Sequence, residues 1–150
     1  MKTLIVLSVL LSVASATVLS RCQVVKAIAN SELAHDPRYT VADWVCMAKH
    51  ESNYDTLAFR EERGPDGHIW SADYGIFQIN SRWWCDSWAS TYSANACNVK
   101  CVDFLTNGDN LTRDIECAAI IVKQKGMDAW TSWVENCKGK WIGYYTYLCF

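Results

Sequence analysis

The sequence predicts an α+β fold, with a helical lobe, a small antiparallel β-sheet lobe and a cleft between them. Three observations carry this expectation. Apolar residues recur at helical spacing on both sides of the chain's middle, at Val41, Trp44, Val45 and Ala48 and again at Leu111, Ile115, Ala118, Ala119 and Val122. Residues 53–84 between them change to turn chemistry and weak alternation. Eight cysteines, all beyond residue 16, form an even set in a chain that opens with an export signal. Segregated helices and strands make two lobes, and ligands commonly bind where lobes meet.

The export signal is Lys2, an apolar run from Leu4 to Val13, and the small-x-small pattern Ala14-Ser15-Ala16. This reads as a secretory signal peptide over residues 1–16, too short to span a bilayer. A single domain over residues 17–150 follows, its helical lobe from about 17–53 and 109–150 and its β lobe from about 54–108. No other stretch is apolar enough to cross a membrane, so the expected product is secreted and soluble, without a membrane partner; it is also expected to be a monomer.

In chain order, Cys22, Val25 and Ala29 at helical spacing predict a short first helix over 21–30, which Pro37 separates from the next. Thr40, with Asp43 three residues on, starts a helix that runs to about Glu51 or Ser52. Glu51 falls on the edge of that helix's apolar stripe. A carboxyl group facing apolar packing is expensive to ionise, so its pKa rises and it becomes a usable general acid.

Gly64-Pro65-Asp66-Gly67 is turn chemistry, and DYGIFQINS from Asp73 reads as a strand. Asp73 at its start, with polar Gln78 and Asn80 alternating against Ile76, Phe77 and Ile79, is expected to be hydrogen-bonded, partly wet and ionised. A buried acid and a solvated carboxylate have separated pKa values, which assigns the acid and nucleophile roles. Trp83 and Trp84, adjacent on an extended segment, point in opposite directions, so at least one is exposed and able to stack on a sugar ring. Residues 85–108 hold three cysteines and read as a cross-linked loop region. A third helix follows from about Asp109 to Lys123 and a fourth over 127–137 after Gly126. On the fourth, Trp130 and Trp133 are core or cleft wall. Cys149 ties back an aromatic tail.

Eight cysteines imply four disulfides among 105 possible connectivities. Zinc is disfavoured, because only Cys97 and Cys101 are close and no C-x-x-C pair or nearby His completes a set. The formal charge is −2 at pH 7 with His neutral, and loss of Lys2 makes it more negative by one. No basic patch serves nucleic acid.

Taken together, WVCMAKHESNYD, SADYGIFQINSRWWC, CNVKC and GMDAW resemble the chicken-type (c-type) lysozyme family, across residues 17–150. The resemblance implies a lysozyme-like fold with the active-site cleft between the lobes. It implies Glu51 as general acid and Asp73 as nucleophile or charge stabiliser. Trp83, Trp84, Gln78, Asn80, Ala129 and Trp130 take the substrate-contacting positions, with Trp130 as the apolar neighbour of the acid. The family's disulfides pair Cys22 with Cys149, Cys46 with Cys137, Cys85 with Cys101, and Cys97 with Cys117. The implied activity is retaining hydrolysis of β-1,4 links in bacterial peptidoglycan or chitin oligomers, without a cofactor. The alternative is a non-catalytic sugar-binding or cell-recognition relative on the same scaffold. Such relatives typically lose one or both carboxylates, and this chain keeps both.

The sequence also departs from the family. The Cys46–Cys85 stretch is longer, the extra residues being placed at EERGPDGHIW, where Trp70 adds an aromatic surface or plugs the turn. The Cys101–Cys117 segment is slightly longer and QKGM slightly shorter, and Asp128 stands where Asn is common. Some members bind calcium at the start of the third helix, but Arg113 occupies an expected ligand position, so no metal is expected. Asn110-Leu111-Thr112 is an N-glycosylation motif expected to lie within a helix turn. The acidic balance suggests work at lower pH, as in a digestive fluid.

Overall fold

The computed structural model describes residues 18–150, so the export signal and its cleavage site lie outside the described residues. The order is α1 (Arg21–Ala29), α2 (Val41–Ser52), β1 (Phe59–Arg63), β2 (Ile69–Tyr74), β3 (Ile79–Asn80), α3 (Thr112–Lys125) and α4 (Thr131–Asn136), with short 3-10 turns between. The strands form one antiparallel sheet in the order β1-β2-β3.

Local chemistry starts the first two helices. Ser20 and Gln23 close a capping box on α1, as Thr40 and Asp43 do on α2. The Thr40 backbone N–H donates to the Asp43 carboxylate at 2.8 Å, and Asp43 N–H donates to Thr40 Oγ1 at 3.3 Å. Trp44, Val45, Cys46, Met47 and Ala48 of α2 are fully buried, making this helix the spine of the core. Asn53 in the left-handed region (φ 53°) ends it and turns the chain toward the sheet.

The β1–β2 hairpin closes through the Gly64–Gly67 turn, where Gly64 N–H donates to His68 O at 2.9 Å. Trp70 does both things foreseen for it. Its indole covers Gly64 so closely that a Cβ there would lie 2.2 Å from Nε1, yet the residue stays 53% exposed.

Two elements differ from expectation. DYGIFQINS is not one strand: Asp73 and Tyr74 end β2, Gly75 (φ 75°) and Gln78 (φ 49°) turn the chain, and only Ile79–Asn80 continue as β3. A pleated strand sends neighbouring side chains to opposite faces. Ile76 and Phe77 are both fully buried, which the turn allows. The expected fourth helix is likewise split. Met127–Ala129 form a 3-10 turn, Trp130 is extended (φ −103°, ψ 105°), and α4 begins only at Thr131.

Four disulfides join Cys22 to Cys149, Cys46 to Cys137, Cys85 to Cys101 and Cys97 to Cys117, with S–S distances from 1.95 to 2.09 Å. The first ties the aromatic tail to α1, helped by Arg21 Nη1, which donates to Tyr145 O at 2.8 Å. No described helix is long and apolar enough to cross a membrane. Asn110 lies exposed just ahead of α3, not within it, and its side chain accepts from Thr112 N–H at 3.0 Å.

Candidate active site

A cleft of about 500 Å³ lies between α2, the sheet and the segment leading into α4. Glu51 enters it from the last turn of α2, Asp73 from the end of β2, and Asn80 from β3. Gln78 comes from the intervening turn, Trp83 and Trp84 from the loop beyond, and Ala129 and Trp130 from ahead of α4. The cleft thus gathers all eight residues singled out in the sequence.

The two carboxyl groups sit in opposite surroundings. Burial pushes the Glu51 carboxyl above its ordinary range, and the nearby Asp73 charge adds to the rise. The Ser132 hydroxyl, which donates to Glu51 Oε1, and the Arg60 cation both work against it. Asp73 is hydrogen-bonded as expected, but at 6% exposed it is not wet, and it stands near the end of β2 and not at a strand start. Its Oδ2 accepts from Arg60 Nη2 at 3.0 Å and its Oδ1 from Asn80 Nδ2 at 2.8 Å. The reason is register: Asp73 stands opposite Arg60 on β1 and opposite Asn80 on β3. Directly opposed side chains share a face, so charged and amide partners take the place of water.

The sequence model of the C-type lysozyme/alpha-lactalbumin family matches residues 17–149. The chain belongs to that family. It is 45% identical over 133 residues to the milk isozyme of lysozyme C from Canis lupus familiaris, covering 88% of this chain and 98% of that protein. Lysozyme C of Bufo gargarizans andrewsi is 42% identical over 130 residues, covering 86% of this chain and 85% of that one. The crystal structure of lysozyme from Equus asinus superposes with a TM-score of 0.78 at 40% identity, covering 89% of this chain and 99% of that chain. The activity class is accordingly that of a lysozyme-type glycoside hydrolase.

Within this lysozyme fold the lining residues divide by what their polar atoms already hold. Gln78 Nε2 donates to Ala58 O at 3.1 Å and Gly75 O at 3.0 Å, holding the turn. Asn80 Nδ2 also donates to Ser71 Oγ at 3.0 Å, while Asn80 Oδ1 accepts from Arg82 N–H at 2.9 Å. These two amides serve the protein first. Trp83 and Trp84 lie in a turn and not on an extended segment, yet their environments still diverge. Trp83 is 53% exposed, with the Arg82 guanidinium 5.5 Å from its ring centre, whereas Trp84 packs partly into the core. Trp130 is buried against Trp44, edge to face at 5.6 Å, and its Nε1 donates to Phe77 O at 2.9 Å. Trp133 turns away to α2, where its Nε1 donates to Asp43 Oδ1 at 3.0 Å. Asp128 lines an adjoining groove with Trp83 and Trp84 and pairs with Lys138 at 2.7 Å.

Sequence reasoning missed Arg60, Glu62, Ser132, Glu135 and His50, all of which line the cleft. Only the alternation in Phe59–Arg63 hinted at the first two, by placing Arg60 and Glu62 on one face. Among the described residues, no group of three or more His, Cys, Asp or Glu is gathered as a metal site, and Arg113 lies 3.5 Å from Asp103.

Proposed function

We propose that this chain is a secreted, retaining glycoside hydrolase that cleaves β-1,4 links of bacterial peptidoglycan or of chitin oligomers. One observation supports the assignment above others. Across one cleft, Glu51 is raised by burial while Asp73 is buried against a guanidinium. Lysozyme is the type case of this two-carboxylate chemistry, so the mechanism is the family's.

In that reading Glu51 protonates the leaving glycosidic oxygen. Asp73 attacks or electrostatically stabilises the developing sugar cation. Water then completes hydrolysis with Glu51 acting as base, and configuration is retained. Trp83 offers an exposed aromatic plane for a sugar ring. Trp130 supplies apolar wall beside the acid, and Ala129 leaves room for the sugar next to it. The signal peptide of residues 1–16 and the four disulfides support secretion into an oxidising compartment. The acidic net charge suits an acidic medium, where anionic cell walls repel the protein less.

The test is clearing of a peptidoglycan suspension from about pH 4 to 8, wild type against Glu51→Gln. The substitution keeps the shape and removes the titratable proton. Clearing that disappears in the variant supports Glu51 as the acid, and a wild-type peak below neutrality supports the acidic role. Binding of the polymer without clearing at any pH favours the non-catalytic reading.

A further inference from the structure

We infer that Arg60 is a positioning residue of the reaction, fixing the Asp73 carboxyl in the cleft and setting the pH range over which the cleft works. The inference rests on the proposed roles of Glu51 and Asp73 and goes beyond them.

The geometry is specific. Arg60 and Asp73 are register partners on β1 and β2, and Arg60 Nη2 lies 3.0 Å from Asp73 Oδ2 and 3.2 Å from Glu62 Oε1. The Arg60 side chain is 63% exposed, so the guanidinium reaches into the cleft mouth, whereas the Asp73 side chain is 9% exposed. Among the described ion pairs, this is the one whose acid is nearly buried; the acids of the others are 18% exposed or more. Exposed pairs stabilise little, but a buried charge deprived of its partner is strongly disfavoured.

The surroundings explain why one cation matters. The cleft lining presents Glu51 and His50 from α2, Glu62 from β1, Asp73 from β2, and Ser132 and Glu135 from α4. Four carboxyl groups therefore face one permanently charged cation. Arg60 opposes the rise at Glu51 as well as pairing with Asp73. Its removal leaves carboxyl groups facing one another, and like charges so placed bind protons more tightly. The rate profile then moves to higher pH. Removal of Glu62 instead subtracts one anion and leaves Arg60 wholly to Asp73, so the profile moves the other way.

The experiment is a set of pH–rate profiles on a soluble, neutral β-1,4-linked N-acetylglucosamine oligomer, for wild type, Arg60→Gln, Arg60→Lys and Glu62→Gln. For Arg60→Gln the optimum is expected to rise by about one pH unit, with kcat at acid pH about tenfold lower and KM little changed. Arg60→Lys restores most of both. Glu62→Gln, changed at an exposed side chain and so safe for folding, lowers the optimum by a smaller amount. A Glu62→Gln optimum equal to wild type overturns the inference. So does an Arg60→Gln loss that is equal at every pH and unrelieved by Lys, the mark of a merely structural pair. Glu51→Gln run alongside separates the two levels. If it remains active, the roles assigned to the carboxyl groups fail; if it is dead while the optima stay fixed, only the role of Arg60 fails.

Discussion

Asp114 shows what becomes of a carboxyl group that the fold buries with one of its oxygens unpaired. It lies in the first turn of α3, is 2% exposed, and its Oδ1 accepts no hydrogen bond. Burial pushes its pKa up to about 8. An unfolded Asp titrates near 3.9, so between about pH 4 and 8 the folded chain carries a proton that the unfolded chain has lost. Stability from this residue is therefore complete in acid and is lost progressively as pH rises across that window. Asp114→Asn removes the proton but not the shape. Thermal unfolding of both proteins at about pH 5 and pH 7 is expected to show the variant gaining on wild type as pH rises; a pH-independent difference would count against the mechanism. Legibility at this scale followed how local the cause was. Glu51 was readable because a helical stripe leads to it within one element. The surroundings of Asp73 were not, because they depend on Arg60 thirteen residues away on another strand.

At the scale of elements, capping and periodicity within about a dozen residues marked α1 and α2 to within a residue or two, while breaks set by tertiary packing were harder to see. The β2–β3 turn is the clearest case. Gly75 in the middle of DYGIFQINS was the available signal, since an isolated glycine in a strand pattern often marks a bend. The structure shows why glycine is needed: at φ 75°, an added Cβ would lie 2.8 Å from Asp114 Oδ1 and 3.1 Å from Phe104 O. The turn that follows Asp73 thus docks directly on the start of α3. Gly75→Ala strains the backbone and forces that contact apart at once, so a loss of about 2 kcal/mol or more is expected by denaturant titration. Gly67→Ala, at φ 79° with nothing within 4 Å, supplies the comparison. It carries the backbone cost alone, about 1 kcal/mol. Equal losses at the two sites would mean that the α3 contact adds nothing. The split at Trp130 has the same kind of origin, because an extended residue there lets the indole reach Phe77 O, an acceptor that no local pattern reveals.

At the scale of the whole molecule, the fold class and the cleft followed from the order of elements, and four disulfides from the cysteine count; the pairing itself came through the family's motifs. What composition adds is a long-range field. The chain carries 14 Lys and Arg against 16 Asp and Glu, so at neutral pH it approaches an anionic cell wall against a weak repulsion. Added salt screens that repulsion over a Debye length of about 10 Å at 0.1 M. Peptidoglycan clearing near pH 7.5 is therefore expected to speed up as salt rises from about 10 to 100 mM. Below the pI of about 5.9 the net charge turns positive, so attraction replaces repulsion and the same salt slows clearing. A neutral soluble oligomer feels neither field, so its hydrolysis serves as the control and is expected to change little with salt at either pH. If clearing at neutral pH slows with salt while the oligomer does not respond, a local cationic surface outweighs the net charge, and the link between acidic composition and an acidic working range is lost.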